Sequence, residues 1–265
     1  MIGHLDPEAL AKQFAAGKPF PSICIDNFLD RDFVLEVARS YPAYSDAAAQ
    51  GRMFRGVNER RKIEITNPEL FPDPVKRLAD YCKSPEFIGF LEKLTGVPNL
   101  LWDPTFLGGG MHQTAAHGLL DVHVDFNRRD QLYRRVNLLL YLNEEWKEEW
   151  GGRLELWDKD VKVCHRSVAP ILNRCVIFET SEISYHGVTA LSCPEDVLRR
   201  SFALYYYTAE APSDAAKETH TTIFRARPNE RLKRYVLMPA LRGRAKFYNV
   251  KRLAGQTIRR ILARD

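Results

Sequence analysis

Amphipathic stripes at helical spacing organise the first hundred residues of the chain. Four segments show this spacing, with stop and start signals such as Pro7, Pro42 and Gly96 at their ends. The predicted helices are 7–17, 32–41, 73–83 and 85–95. Residues 19–29 predict a strand that runs into a turn, whereas the polar segment 43–66 predicts no regular element and contains a plausible mobile loop at 51–58.

The pattern changes between Leu100 and Glu210, where short apolar segments alternate with turn residues. A strand roughly every ten residues favours an all-β sandwich or barrel over alternating βα units. Gly151-Gly152 is a strong turn signal, and 136–142 is almost continuously apolar, which suits a central strand buried on both faces. The predicted strands are 100–107, 110–116, 119–124, 134–143, 153–157, 161–168, 174–179, 185–191 and 199–208.

These patterns predict a mainly β protein with flanking helices, an α+β fold. We expect an N-terminal part, 1–99, that packs on a β core, 100–212, followed by a basic helical extension, 213–265. The extension contains two predicted helices, Glu230 to Leu237 and Val250 to Leu262. All three parts are expected to form one structural domain.

Composition narrows the class of protein. Of the 265 residues, 45% are hydrophobic, the level of a globular protein with a buried core. No apolar run approaches the ~20 residues that span a bilayer, and the N-terminus lacks the basic start and apolar stretch of a secretory signal. Five cysteines, an odd number without Cys-x-x-Cys spacing, predict reduced thiols in a cytoplasmic protein.

Charge is distributed unevenly. The net charge is +5, but residues 221–265 carry 13 Lys and Arg against 2 Asp and Glu, so the remaining chain is mildly acidic. Such asymmetry is typical of a tail that contacts an acidic partner. The alternative is a solvated helical face that only keeps the protein soluble.

His123, Asp125 and His186 are the most informative side chains. Strand alternation places His123 and Asp125 on one face, as two ligands of one metal require. His186 begins another predicted strand and is expected to come from the opposite wall of a barrel. Two imidazoles and one carboxylate hold a divalent iron and leave positions open for substrate and oxygen. A His-x-Asp by itself is weak, since a lone histidine is more often structural.

The surrounding segments resemble the prolyl-hydroxylase-like branch of the 2-oxoglutarate/Fe(II) dioxygenases, in family order over residues 100–210. Ile25-Asp26-Asn27-Phe28-Leu29 is similar to the family's entry segment, whereas the basic tail has no counterpart. The matching pieces are His123-Val124-Asp125, Leu140-Tyr141-Leu142-Asn143 followed by Trp146, Gly151-Gly152-Arg153-Leu154-Glu155-Leu156, Pro170 before Asn173-Arg174-Cys175-Val176-Ile177-Phe178, Ser184-Tyr185-His186-Gly187-Val188, and Arg199-Arg200-Ser201.

The resemblance implies a double-stranded β-helix, a distorted jelly roll, with His123, Asp125 and His186 as iron ligands. Arg199 would bind the distal carboxylate of 2-oxoglutarate, because a guanidinium pairs bidentately and stays charged when buried. Ser201 and Tyr141 would add hydroxyl donors to the same carboxylate.

Several cosubstrate positions stay open. Asn137 shares a strand face with Tyr141, so it is expected to line the cosubstrate slot. The adjacent Arg200 is the alternative as the arginine that binds 2-oxoglutarate, although the Arg-x-Ser spacing favours Arg199. Many relatives have a tyrosine where this chain has His112-Gln113; Gln113 is the candidate there for the metal-proximal carboxylate, and ordinary strand polarity is the alternative.

The function implied is hydroxylation of an unactivated C–H bond by Fe(II), 2-oxoglutarate and O2, with ascorbate as a reductant. Asp125 matters here, since halogenating relatives lack this carboxylate. The substrate is expected to be an amino-acid side chain, free or in a peptide or protein, or another small metabolite.

Two other functions remain open. Nucleic-acid dealkylation is suggested by the basic tail, but dealkylases usually carry a second arginine six residues after the first, where this chain has Tyr205. The other is a non-catalytic jelly-roll binding module. Arg128, Arg129 and Arg134 are expected at the pocket mouth or in a solvated loop, and 51–62 is a candidate lid.

Overall fold

The computed structural model describes residues 5–213 and 219–240. The chain groups into two compact units, 1–224 and 225–265. The first unit contains the predicted N-terminal helices together with the β core. None of the helices in the described ranges is long and apolar enough to cross a membrane.

Five helices lie in the N-terminal part, four of them where the apolar stripes predict. Asp6, Asp30 and Ser84 cap three of these helices, because their side-chain oxygens accept from otherwise unpaired first-turn amides. Gly96 ends the last one with a φ of 71°. The helices are α1 (Pro7–Ala15), α2 (Arg31–Arg39), α3 (Tyr44–Gln50), α4 (Asp73–Cys82) and α5 (Pro85–Thr95).

Thirteen strands of the described residues belong to one sheet. The strands are β1 (Ser22–Ile25), β2 (Arg52–Arg55), β3 (Glu59–Ile65), β4 (Leu101–Trp102), β5 (Gly110–Val124), β6 (Arg128–Arg129), β7 (Leu132–Tyr141), β8 (Leu154–Trp157), β9 (Cys164–Val168), β10 (Cys175–Glu179), β11 (His186–Val188), β12 (Arg199–Thr208) and β13 (Ile223–Arg225).

The main path of the sheet is β1-β10-β7-β12-β5-β11-β8-β9, and every pair along it is antiparallel. In addition, β3 and β13 pair with β5, β4 pairs with β12, and β6 pairs with β7. The result is a nearly closed, barrel-like sheet, as the spacing of the apolar segments predicts.

Alternation along the strands separates two environments. On β12, Phe202, Leu204 and Tyr206 join the apolar core beneath the helices. On β7, Leu138 and Leu140 face the same way, which explains why 136–142 is nearly continuous in apolar residues. The opposite faces of both strands line the barrel interior, where the polar residues of interest lie.

The structure corrects three local predictions. Residues 100–107 form only the short β4, and the two strands predicted at 110–116 and 119–124 are the single β5, which continues through His117 at a φ of 59°. The expected loop at 51–58 belongs to the hairpin of β2 and β3. The hairpin was missed because β3 carries charged side chains towards the barrel interior, which disguises its alternation.

The second unit is described as far as residue 240. Residues 231–240 are helical, with a π-helical stretch at Lys233–Leu237, where a helix is predicted for Glu230 to Leu237. The predicted helix Val250 to Leu262 lies outside the described residues. The domain boundaries at 99 and 212 stay predictions.

Candidate metal centre and cosubstrate pocket

His123, Asp125 and His186 converge at one end of the barrel interior. One ligand atom from each lies within 4.8 Å of the others, and all three residues are buried. His123 Nε2 is 3.5 Å from Asp125 Oδ1, and His186 Nε2 is 3.8 Å from Asp125 Oδ2. The two imidazole centroids are 4.3 Å apart. This spacing suits three ligands on one face of a single ion.

Neighbouring strands bring the two histidines together. His186 on β11 is paired directly with His123 on β5, so His186 comes from the adjacent strand. The sequence analysis places it on the opposite wall. The expectation was wrong because strand order in the barrel cannot be read from sequence separation. Asp125 stands just beyond the end of β5, two residues after His123.

Backbone carbonyls set the tautomer of both imidazoles. His123 Nδ1 donates to Asp121 O at 2.8 Å, and His186 Nδ1 donates to Ser184 O at 2.9 Å. A carbonyl oxygen only accepts, so each Nδ1 carries the proton and each Nε2 presents its lone pair towards Asp125. Such carbonyl partners are typical of histidines that bind metals.

The electrostatics of this cluster favour a cation. Burial and the nearby His123 lower the pKa of His186 to about 4, so the imidazole is neutral and available as a ligand. Burial alone would raise the pKa of Asp125, but the guanidinium of Arg134 opposes burial, and that pKa lies below its usual range. Asp125 is therefore an anion at neutral pH.

Arg134 contacts the centre from inside the barrel. The predictions that place it at the pocket mouth or in a solvated loop are therefore wrong. Its side chain is 1% exposed, and Nη1 is 3.5 Å from Asp125 Oδ1. Its guanidinium lies between the rings of Phe126 and Tyr205, with 3.6 Å from Cζ to each centroid. The sequence around Arg134 contains no pattern that predicts its burial inside the barrel.

Arg128 and Arg129 are committed to local contacts. Arg129 Nη1 donates to Asp103 at 3.0 and 3.1 Å, which ties β6 to the segment after β4. Arg128 donates to Asp130 O and Gln131 and lies 5.1 Å from the Tyr133 ring. Both side chains thus stabilise the loop that follows Asp125.

Arg199 and Tyr141 form a second polar group on the interior face. Arg199 is buried, its Nε donates to Gly152 O at 2.7 Å, and its Cζ is 5.0 Å from the Tyr141 ring centroid. Gly152 has a φ of 63°, and a Cβ there would meet Arg199 Cδ at 3.1 Å, so glycine allows this approach. Burial raises the pKa of Tyr141 to about 12, so its hydroxyl remains a donor.

Register distinguishes Arg199 from Arg200. Ser201 pairs with Tyr141 on β7, so Arg199 and Ser201 share the interior face of β12. Arg200 points to the helical side, where burial lowers its pKa and Tyr41 and Glu144 lie nearby. Burial also lowers the pKa of Arg199, although a guanidinium remains protonated at neutral pH. Arg199 is thus the arginine that faces the pocket.

The structure does not bring Gln113 into the pocket. Gln113 pairs with Arg200 and Ile63, so it faces the helices, where Nε2 donates to Pro42 O at 2.9 Å. The interior position belongs to His112, which pairs with Ser201. The prediction that Gln113 faces the cosubstrate is therefore corrected, because strand alternation places the neighbouring His112 on the interior face.

His112 belongs to a buried polar cluster that the sequence did not predict. Lys62 Nζ is 2.6 Å from Glu64 Oε1 and 2.9 Å from Glu59 Oε1, and His112 Nε2 lies 3.7 Å from Glu64. Burial and the nearby Lys62 lower the pKa of His112 to about 3, so the imidazole is neutral. The alternation of charged and apolar side chains over 62–65 is the signal that identifies these interior positions.

Asn137 contacts the metal centre through Asp125. Its Nδ2 donates to Asp125 Oδ2 at 3.4 Å, whereas its Oδ1 is buried without a hydrogen-bond partner. Asn137 and Arg134 thus contact different oxygens of the same carboxylate, and together they restrict how Asp125 can rotate.

The residues present fit a divalent iron and 2-oxoglutarate. The Tyr141 hydroxyl is buried without a hydrogen-bond partner, and no carboxylate of the described residues forms an ion pair with the buried Arg199. A buried guanidinium and an unpaired hydroxyl on one face are the donors that a carboxylate needs. Two imidazoles and a carboxylate are the donor set for ferrous iron.

Comparison with known proteins agrees with this geometry. Residues 109–207 match the 2OG-Fe(II) oxygenase superfamily. A stretch of 78 residues is 35% identical to the prolyl 3-hydroxylase OGFOD1 of Mus musculus and covers 28% of this chain. The chain spans 14% of the length of that relative.

Solved structures share the fold. A prolyl hydroxylase from Trichoplax adhaerens, in complex with a hypoxia inducible factor peptide fragment, is 19% identical, with a TM-score of 0.54 over 76% of this chain and 90% of that one. A Pseudomonas putida prolyl-4-hydroxylase is 20% identical, with a TM-score of 0.53 over 75% and 98%. These likenesses concern the fold, and they confirm the predicted double-stranded β-helix.

The barrel and its triad combine a fold shared with prolyl hydroxylases of known structure and a donor set that fits ferrous iron. The family similarity lies in residues 109–207, where the chain resembles the 2OG-Fe(II) oxygenase superfamily.

Proposed function

We propose that the chain hydroxylates an unactivated C–H bond of an amino-acid side chain in a peptide or protein, with a prolyl ring as the first substrate to test. In this reaction 2-oxoglutarate loses carbon dioxide and becomes succinate. One atom of O2 enters succinate and the other enters the substrate as a hydroxyl group. Atoms and electrons balance without a further reductant, and ascorbate serves only to keep iron ferrous.

The observation that carries this proposal is the pairing of two sites on one interior surface. Three ligand atoms lie within 4.8 Å of one another, and a buried Arg199 without a carboxylate partner lies beside the unpaired Tyr141 hydroxyl. A metal centre alone would allow many reactions. A metal centre with a carboxylate receptor in the same barrel supports a keto-acid cosubstrate.

Each side chain has a defined task in this proposal. His123, Asp125 and His186 hold the iron, whose chemistry is the activation of dioxygen when it is bound. Arg199 and Tyr141 orient the distal carboxylate of 2-oxoglutarate, and Ser201 lies beside Tyr141 on the same face. Arg134 and Asn137 hold Asp125 in place. All of these side chains are buried, which limits the access of water to them.

A peptidyl substrate is supported by the names of the similar proteins. The Mus musculus relative is called a prolyl 3-hydroxylase, and the Trichoplax adhaerens structure contains a peptide fragment. A free amino acid or small metabolite is the alternative, which the assay below separates. All five cysteines lie in the described ranges as free thiols, which supports a reducing compartment such as the cytoplasm.

The structure offers no support for nucleic-acid dealkylation in its described part. Tyr205 occupies the position where dealkylases usually carry a second arginine, and its ring stacks on Arg134 inside the barrel. The basic tail lies largely outside the described residues. The grouping of the three candidate ligands, and of Arg199 with Tyr141, supports a catalytic role over a non-catalytic one.

The test measures succinate and substrate mass together. Purified protein is incubated with Fe(II), 2-oxoglutarate, ascorbate and a library of prolyl peptides, with free proline and other free amino acids in parallel. We expect succinate formation coupled to the gain of one oxygen atom by a prolyl peptide. The matched control is His123→Ala, which removes a ligand but leaves the Arg199 receptor.

Two outcomes would contradict the proposal. If wild-type protein neither binds 2-oxoglutarate nor forms succinate with any substrate, the dioxygenase assignment fails. If succinate forms but oxygen enters only a free metabolite, the peptidyl substrate is wrong and the reaction type stands.

A further inference from the structure

A short segment near the end of the first unit crosses the metal centre. Residues 219–224, here called the strap, place the Phe224 ring 5.4 Å from the His123 ring, with 37° between the ring planes. Phe224 is partly buried. The strap therefore contacts an iron ligand directly, although it lies far from the triad in sequence.

A second phenyl ring flanks the triad from within the barrel. Phe178 lies 4.7 Å from His186, ring centroid to centroid, and is fully buried. The imidazoles of His123 and His186, tilted by 50° to each other, thus each contact one phenyl ring. Phe178 belongs to β10 and is fully buried, whereas Phe224 is only partly buried.

Alternation fixes which way Phe224 points. The preceding residue, Ile223, packs among Val122, Val124 and Trp157 on the outer surface of β5. Successive side chains of a strand point to opposite faces, so Phe224 is directed to the His123 side. Ile223 anchors the strap while Phe224 faces the centre.

Polar contacts fasten the strap to both loops that carry ligands. His220 Nε2 is 2.7 Å from Glu182 Oε2, and Asn127 Nδ2 donates to Glu182 Oε1 at 2.8 Å. The backbone amide of His220 donates to Asn127 Oδ1 at 3.2 Å. Asn127 follows Asp125 by two residues, and Glu182 precedes His186 by four. This latch holds the strap over the centre.

We propose that Phe224 is a specificity-determining residue, which forms the outer wall of the substrate site and packs against an apolar ring such as that of a peptidyl proline. The inference rests on the proposed function and assigns a substrate contact within it. An aromatic face packs well on a saturated ring, and its bulk excludes water from the open side of the iron. The latch of His220, Asn127 and Glu182 keeps that wall in place.

The experiment compares Phe224→Ala with Phe224→Leu. For a prolyl peptide we expect Phe224→Ala to raise KM roughly tenfold with a smaller change in kcat, as for loss of one aromatic anchor. We also expect more succinate per hydroxylated peptide, because water reaches the site. Phe224→Leu should restore part of both effects. Ile223→Val is the matched control, since it alters the same strand on its other face.

A second measurement does not depend on activity. Mn(II) bound together with 2-oxoglutarate relaxes water protons in proportion to the access of water to the ion. Relaxivity should rise in Phe224→Ala, rise less in Glu182→Gln, which weakens the latch, and stay unchanged in Ile223→Val. Equal relaxivity in wild type and Phe224→Ala, or an unchanged KM for the peptide, would overturn the inference.

The two hypotheses fail separately. Raised relaxivity in Phe224→Ala, from a wild-type protein that hydroxylates no peptide, would support the strap as the outer wall and overturn its assignment to a prolyl ring. Circular dichroism and Mn(II) affinity show whether each variant is folded with an intact triad. If Phe224→Ala does not fold, Phe224→Leu carries the same comparison.

Discussion

Arg134 and Asp125 form a buried charge pair at the metal centre, with 3.5 Å between Nη1 and Oδ1. Arg134 Nη2 also donates to the Tyr207 hydroxyl at 3.1 Å and to Leu107 O at 3.2 Å, and two aromatic rings enclose the guanidinium. The arginine is held from several sides, so it presents a fixed positive charge to Asp125. In the metal-free protein this charge compensates a buried carboxylate.

The pair predicts a metal-dependent stability in Arg134→Met. Removing one partner leaves Asp125 as an uncompensated buried anion, so the free energy of unfolding of the metal-free protein should fall by about 3 kcal/mol or more. A bound divalent cation then neutralises Asp125. Thermal denaturation should therefore show a larger increase in Tm on adding Mn(II) for the variant than for wild type.

The adjacent arginine provides the control for that prediction. Arg135 forms a longer contact with Glu179, at 3.6 Å, away from the triad. Arg135→Met should leave the metal-induced rise in Tm at its wild-type value. A variant Arg134→Met whose stability responds to Mn(II) as wild type does would show that Arg134 does not compensate Asp125.

Arg199 and Arg200 predict opposite results for cosubstrate binding. Arg199→Met removes the buried guanidinium that faces the interior, and the Kd for 2-oxoglutarate should rise by roughly 10- to 100-fold, the range for a hydrogen bond to a charged group. Arg200→Met acts on the helical side and should leave that Kd unchanged. Calorimetric titration in the presence of Mn(II) measures both Kd values. A raised Kd in Arg200→Met and an unchanged Kd in Arg199→Met would show that Arg200 binds 2-oxoglutarate.

Gln113 predicts a variant without effect on the cosubstrate. Gln113→Ala removes only the hydrogen bond to Pro42 O, so stability should fall by about 1 kcal/mol while the KM for 2-oxoglutarate stays at its wild-type value. Denaturant unfolding and steady-state kinetics provide the two readouts. A raised KM for 2-oxoglutarate would contradict the assignment of Gln113 to the helical side, because it would mean that this residue affects cosubstrate binding.

His112 predicts a pH dependence of stability. Its pKa is about 3 in the folded protein and about 6.5 in an unfolded chain, so the unfolded state takes up a proton first as pH falls. Stability should be complete above pH ~6.5 and decrease below it, by at most about 1.4 kcal/mol per pH unit from this residue. His112→Gln should reduce that slope in metal-free protein.

His186 contributes a slope of the same sign, since burial also lowers its pKa. The comparison therefore uses the difference between wild type and His112→Gln, measured by urea unfolding at several pH values. An identical slope in both proteins would show that His112 is not kept neutral by the fold.

The amino-acid sequence by itself determined the class of fold and the centre of the site. Apolar spacing distinguishes the helices from the strands, because each element must bury one face. The separation of His123 and Asp125 by two positions places both on one face, and the family motifs add His186 and Arg199. These inferences depend on local periodicity, which a single chain displays directly.

Only the tertiary structure decided which neighbours share the pocket. His112 and not Gln113 faces the interior, and Arg199 and not Arg200, because strand pairing sets the face and a shift of one residue reverses it. The burial of Arg134 between Phe126 and Tyr205, and the packing of Phe224 on His123, join segments that are distant in sequence. Such contacts arise from the closure of the barrel, which no local pattern encodes.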